Sequence, residues 1–182
     1  TNSTKVQNFA NRTTQDSKVY ITQIGNQNSI TVNQSGTRNN YAEYNGNGSN
    51  NSISITQIGN ASTVANYTEL NITGNNNTAT ITQNSTGGSK GAFVTIADSN
   101  NSVLLQQKDG GNHYAEIGLS GSNKTVNVQQ SGSAGHMASI QLSGNSTSLT
   151  LQQSGATQNF YSISFNCATT GGCSPINVKQ GN

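Results

Sequence analysis

Residues 148–155 read Ser-Leu-Thr-Leu-Gln-Gln-Ser-Gly, and this short stretch recurs along the chain. It alternates apolar with polar residues and closes on a glutamine, Gln153. Close copies occupy residues 29–36, 52–59 and 125–132, and degenerate copies occupy residues 78–83, 102–107 and 174–180. Period-two alternation is typical of a β-strand with one buried face. The chain therefore predicts the same strand seven times.

The seven copies close on seven glutamines: Gln34, Gln57, Gln83, Gln107, Gln130, Gln153 and Gln180. Most neighbours in this series are 23 or 24 residues apart, and longer loops stretch two of the intervals. A fixed period in this range indicates a solenoid or an array, in which each repeat stacks on the next.

A second alternating stretch precedes each copy, so one repeat holds two strands. The first repeat places Val19, Ile21 and Gln23 on the inward face. The turn between the two strands is marked by glycines at one fixed position: Gly25, Gly48, Gly74, Gly121 and Gly144. Asp98 and Cys167 hold that position in the other repeats. Glycine suits the left-handed backbone angles of tight turns.

These periods predict an all-β fold: a two-layered parallel β-solenoid of seven strand-turn-strand-turn coils over residues 17–182, amyloid-like in its stacking. Equivalent strands would pair about 4.8 Å apart, and the seven glutamines would form one ladder of side-chain amides. Residues 1–16 show no strand pattern and are interpreted as a flexible N-terminal arm.

The amino-acid composition argues against several classes of function. Of the 182 residues, 30% are hydrophobic and 8% are charged, and the net charge is +2. The few basic residues are scattered, which argues against nucleic-acid binding. No apolar run approaches the roughly 18 residues of a membrane span. Paired acid and base groups are missing, so we expect neither an enzyme nor a cofactor or metal site.

A few residues stand out from the repeat. Cys167 and Cys173 are spaced for a local disulfide, which favours an oxidising compartment. The fourth repeat concentrates four charges that we interpret as candidate gatekeepers against premature aggregation: Lys90, Asp98, Lys108 and Asp109. His113 and His136 hold one position in adjacent repeats, about 5 Å apart by the strand spacing. We interpret them as turn caps rather than metal ligands.

The repeats from residue 17 onward resemble the curlin repeat, Ser-x5-Gln-x-Gly-x-x-Asn-x-Ala-x3-Gln, of bacterial curli subunits. The likeness is strongest in residues 29–36, residues 40–42 and residues 52–59. The second glutamine of that motif survives here only as Gln23. The resemblance implies an extracellular functional amyloid of the biofilm matrix, concerned with adhesion and surface colonisation. It further implies export through an outer-membrane secretion pore and polymerisation on a surface nucleator subunit. Residues 1–16 match the position of the family's secretion-targeting segment, so the resemblance makes the arm a possible segment of that kind.

The repeat pattern continues almost to the last residue, so both ends of the stack would present unpaired strand edges. Contact between two unlike ends generates an open filament, and the expected partner is therefore another copy of the same chain. The alternatives are an ice-binding or a carbohydrate-binding β-solenoid, or the minor nucleating subunit of the same fibre system. Ser54, Thr56, Thr80 and Thr82 are the residues that resemble an ice-binding array.

Overall fold

The computed structural model describes residues 2–11, 17–36, 39–60 and 64–181. One helix, α1, spans Asn2–Ala10, and fourteen strands follow it. Their bounds are β1 Ser17–Ile24, β2 Ser29–Gly36, β3 Asn39–Asn47, β4 Ser52–Gly59, β5 Ala65–Thr73, β6 Thr78–Ser85, β7 Lys90–Ala97, β8 Ser102–Gln107, β9 His113–Leu119, β10 Lys124–Gln130, β11 His136–Gly144, β12 Thr147–Gln153, β13 Asn159–Cys167 and β14 Ile176–Gln180.

The strands form two seven-stranded parallel sheets. Sheet A has the order β1-β3-β5-β7-β9-β11-β13, and sheet B holds the even-numbered strands, β2 to β14, also in chain order. Pairing is in register with the sequence repeat, so Gln34 lies beside Gln57 and Gln57 beside Gln83. The predicted two-layered parallel β-solenoid of seven coils is confirmed.

The core is a thin double layer of side chains between the two sheets. Inward residues of the central coils, such as Ile81 and Ile140, are fully buried. The same columns open to solvent at the first coil, where Val19 is 43% and Ile21 is 49% exposed. Each coil therefore depends on a neighbour to complete its burial.

The prediction of a flexible arm is wrong for Asn2–Ala10, which forms α1. Val6, Phe9 and Ala10 follow helical spacing and are buried on the outer side of sheet A. The Phe9 ring packs edge-on against Tyr41 and Tyr67, which stack on each other with ring centroids 4.5 Å apart. This aromatic column provides the apolar surface that the short polar helix lacks by itself. The remaining arm residues, 1 and 12–16, lie outside the described residues.

Polar contacts fix α1 along the solenoid axis. Lys5 Nζ lies 2.9 Å from both carboxylate oxygens of Glu69, and Asn2 donates to Glu116 at 2.9 Å. Within the described ranges, the structure contains no helix with the length and hydropathy to cross a membrane.

Candidate assembly site: the amide ladders and the solenoid ends

The seven predicted glutamines form one continuous chain of side-chain hydrogen bonds. Each Nε2 donates to the Oε1 of the glutamine in the next coil, over 2.8–2.9 Å. The five central members, Gln57, Gln83, Gln107, Gln130 and Gln153, are at most 1% exposed. This Gln ladder is therefore a buried row of amides in which every central member both donates and accepts.

The Gln ladder also joins the two sheets. The second proton of each amide points across the core to a backbone carbonyl of sheet A. Gln57 Nε2 donates to Tyr41 O at 2.7 Å, and Gln83 Nε2 donates to Tyr67 O at 3.1 Å. A buried amide that lost these partners would incur its full desolvation cost, so the ladder fixes the register of both layers.

The Gln ladder has a direction, which makes the two solenoid ends chemically different. At the first coil, Gln34 donates to Gln57, and no described residue donates to its own Oε1. At the last coil, Gln180 accepts from Gln153 and uses one amide proton on Phe160 O. Since a primary amide has two protons, Gln180 retains one for a further acceptor.

A second amide ladder, which sequence reasoning missed, follows the turn between the strands of each coil. Its members are Asn28, Asn51, Asn77 and Asn101. Each Oδ1 accepts from the next member's backbone N–H at 2.9 Å, and Asn101 Oδ1 accepts from Lys124 N. The available signal is spacing, because each Asn stands three residues after the turn glycine or after Asp98. The abundance of Asn elsewhere conceals it.

The predicted turn glycines all adopt positive φ, from 76° at Gly144 to 146° at Gly48. Coil stacking adds a second reason for glycine. A Cβ on Gly74 would lie 2.0 Å from the carbonyl oxygen of Asp98 in the next coil. Asp98 itself has φ 69° and holds the turn despite its side chain.

Lys90, one of the four candidate gatekeepers, is completely buried rather than at the surface, and its gatekeeping role remains a prediction. Its ammonium donates to three backbone carbonyls, those of Gly88, Asp109 and Gly111, over 2.6–2.9 Å. Burial lowers the pKa of Lys90 to about 8, and the nearby Asp109 carboxylate opposes that shift. The lysine replaces an amide in the column that begins with Asn40 and Asn66.

The two histidines continue this column and cap turns, as predicted. Their rings stack with centroids 5.0 Å apart. His113 Nε2 is 2.8 Å from Lys108 O, and His136 Nε2 is 2.8 Å from Ser131 O. Burial, with the charge of Lys90 next in size, lowers the pKa of His113 to about 3. Burial also lowers the pKa of His136.

The other three charges of the fourth coil are at the surface. Asp98 Oδ2 accepts from Gly121 N at 2.9 Å, and Asp109 Oδ2 accepts from Gly132 N at 3.1 Å. Lys108 is exposed. Both aspartates thus lie at turns and contact the next coil, and their gatekeeping role remains a prediction.

Cys167 and Cys173 form the predicted disulfide. Cys167 pairs in register with Gly144, so the bridge closes the last turn at the position that glycine holds in most other coils.

No group of three or more His, Cys, Asp or Glu side chains suited to a metal ion occurs among the described residues. The outward glutamates have other partners. Glu43 accepts from Tyr41 and Asn45, and these hydrogen bonds lower its pKa, the Tyr41 bond contributing most. Glu69 pairs with Lys5.

Comparison of the chain with protein-family models, with curated proteins and with solved structures gives no match.

Proposed function

We propose that the protein is a structural subunit that assembles head-to-tail into extracellular, curli-like amyloid fibres of a biofilm matrix. The observation that carries the proposal is the direction of the Gln ladder. One end offers an unused amide proton on Gln180, and the other offers the acceptor Gln34 Oε1. A second copy stacked on the last coil would continue the ladder with the geometry of an internal step.

The apolar columns support the same junction. Continued in register, the pairing of β13 with a second copy's β1 brings Ile163 beside Ile21 and Tyr161 beside Val19. The pairing of β14 with β2 brings Val178 beside Val32. Each of these strands is the last in its sheet and has a neighbour on one side only. Unlike ends that pair in this way generate open filaments.

The location outside the cell, the secretion pore and the nucleator subunit belong to the proposal through the resemblance to the curlin repeat. The Cys167–Cys173 disulfide supports an oxidising compartment. Adhesion and surface colonisation would be properties of the assembled fibre.

The test introduces a positive charge at a residue of the proposed junction. The control introduces the same charge at the neighbouring residue, whose side chain points away from the junction. Ile21 is half exposed in the single chain but would be buried in the filament, whereas the neighbouring Thr22 points outward. We expect the wild type to form thioflavin-positive fibres with an axial reflection near 4.8 Å. Ile21→Lys should remain folded by circular dichroism but fail to elongate, and Thr22→Lys should elongate normally. A wild type that stays monomeric, or equal elongation of the two variants, would refute the proposal.

A further inference from the structure

The outer surface of sheet B is polar and almost uncharged. Face B denotes the outward side chains of the even-numbered strands. Its central columns consist mainly of hydroxyl and amide residues: Thr31, Ser54, Thr80, Leu104, Asn127, Thr150 and Asn177, beside Asn33, Thr56, Thr82, Gln106, Gln129, Gln152 and Lys179. Lys179, in the last coil, is the one charged residue in these columns. Such a surface can meet a second copy of itself without like-charge repulsion.

The outer surface of sheet A, which we call face A, differs from face B because a helix covers part of it and because it carries acidic side chains. The helix α1 covers its aromatic column at Tyr41 and Tyr67, so a second sheet cannot pack there without displacing it. Face A also carries the carboxylates of Glu43 and Glu116, beside that of Glu69, which is paired with Lys5. Two such faces in contact would bring like charges together, which is destabilising. Face B is therefore the surface that is open to a second sheet.

Two polar atoms on face B lack a hydrogen-bond partner. Asn84 Oδ1 and Asn127 Oδ1 are buried side-chain oxygens with none among the described residues. The oxygens themselves are shielded from solvent, although both residues are partly exposed on face B. An opposing face B offers hydroxyl and amide donors to acceptors of this kind.

The area of face B sets the conditions under which two copies pair. Seven strands at about 4.8 Å spacing and five to six residues of about 3.3 Å give a face of roughly 600 Å². Two faces in contact would bury roughly 1,200 Å², the lower limit for a specific interface. Two single subunits therefore reach only this lower limit, whereas filaments multiply the contact area with every subunit added.

We infer that face B of one copy packs against face B of a second copy, so that filaments pair laterally through interdigitated hydroxyl and amide side chains. The inference rests on the proposed head-to-tail filament. In an antiparallel arrangement, the last coil of one copy faces the first coil of the other. Lys179 then lies opposite the uncharged β2 of its partner rather than opposite a second Lys179.

The experiment adds two positive charges to face B and compares the result with the same change on face A. The test variant is Thr80→Lys with Thr150→Lys, in the third and sixth coils. The matched control is Asn71→Lys with Gln141→Lys, two exposed face A residues in the same two coils. Filament number and width are measured by negative-stain electron microscopy. We expect paired filaments for the wild type and the control, and single filaments for the test variant, with normal elongation in all three.

The outcomes separate the inference from the proposed function. If the wild type forms no filament, the proposed function fails and the inference fails with it. If filaments form but the wild type is unpaired, or the test variant pairs as the wild type does, the inference alone is overturned. It is also overturned if the unassembled wild type inhibits ice recrystallisation and Thr80→Lys with Thr150→Lys does not, because face B would then be an ice-binding surface. Retained elongation shows that each variant folds.

Discussion

Two inward columns meet at the turn that leads from sheet B back to sheet A, and they differ in how strictly they repeat. The first is the Gln ladder, which is glutamine in all seven coils. The second, the mixed column, lies at or next to the start of the sheet A strands and contains Ser17, Asn40, Asn66, Lys90, His113, His136 and Asn159. Both columns are buried in the central coils, so burial does not explain why one is uniform and the other is not.

The hydrogen bonds explain the difference. A Gln ladder member must accept from one coil, donate to the next and reach across to the opposite sheet, and of the common side chains a long amide meets all three demands. Members of the mixed column use varied partners. His113 bonds a carbonyl of its own turn, whereas Lys90 donates to one carbonyl of its own turn and two of the next. Uniformity is therefore required where one side chain must accept from one coil and donate to the next in every step.

The largest effect is expected from breaking the uniform column in its centre. Gln83 takes part in four hydrogen bonds, with Gln57, Gln107, Thr68 and the Tyr67 carbonyl. Gln83→Leu leaves these groups buried and unpaired, and we expect a loss of about 3–5 kcal/mol in the free energy of unfolding. Urea denaturation of the non-elongating Ile21→Lys background measures it. The outward Gln106→Leu should cost less than about 0.5 kcal/mol, and equal losses would contradict the ladder's role.

A smaller loss is expected in the mixed column. Lys90→Met fills the same space but leaves three carbonyls without donors, at a cost of about 2–4 kcal/mol. Lys90→Asn restores the residue type of other coils and should recover part of that stability. The exposed Lys108→Met is the control and should change little. If Lys90→Met is as stable as the wild type, the buried ammonium is not needed there.

The mixed column should also make the free energy of unfolding depend on pH in the acidic range. The pKa of folded His113 is about 3, below the ordinary value near 6.5, so the unfolded chain binds the proton more readily between these values. Stability is then full above pH 6.5 and falls as the pH drops towards 3, by at most about 1.4 kcal/mol per pH unit. His113→Asn should flatten this dependence, with denaturation at pH 4 and pH 7 as the measurement. The remaining slope reports on His136 and Glu43, whose pKa values are also lowered in the folded chain. An unchanged slope would show that His113 does not carry the effect.

The comparison of the two columns also explains which features of the fold could be predicted from the sequence. The Gln ladder and the turn glycines were found because stacking repeats them every coil, and repetition is visible without coordinates. The disulfide was found because its cysteines are six residues apart. Each of these features is either periodic or local.

Two features that the sequence did not predict, the burial of Lys90 and the helix α1, occur only once in the described residues. The burial of Lys90 depends on glycines and a loop of two successive coils, which no local pattern marks. The helix α1 has only Val6, Phe9 and Ala10 as an apolar face, and its partners Tyr41 and Tyr67 lie more than thirty residues away. Its stability comes from tertiary packing, so propensity and periodicity did not indicate it.

The smallest change in stability is expected at the surface of the fourth coil. There, the effect of the proposed gatekeeper charges can be distinguished from the effect of backbone strain. Asp98 and Asp109 both have φ near 70°, so replacing them with glycine relieves the backbone but removes a hydrogen bond to the next coil. These contributions are opposed, and the net change in the free energy of unfolding should stay within about 1 kcal/mol.

Asp98→Gly with Asp109→Gly should nevertheless shorten the lag of fibre formation, because two charges beside pairing strands are lost. Asp98→Asn with Asp109→Asn keeps an acceptor and tolerates the same φ, so it should shorten the lag equally if charge is the cause. Unchanged lag times in the asparagine pair would assign any effect of glycine to the backbone and remove the gatekeeping role.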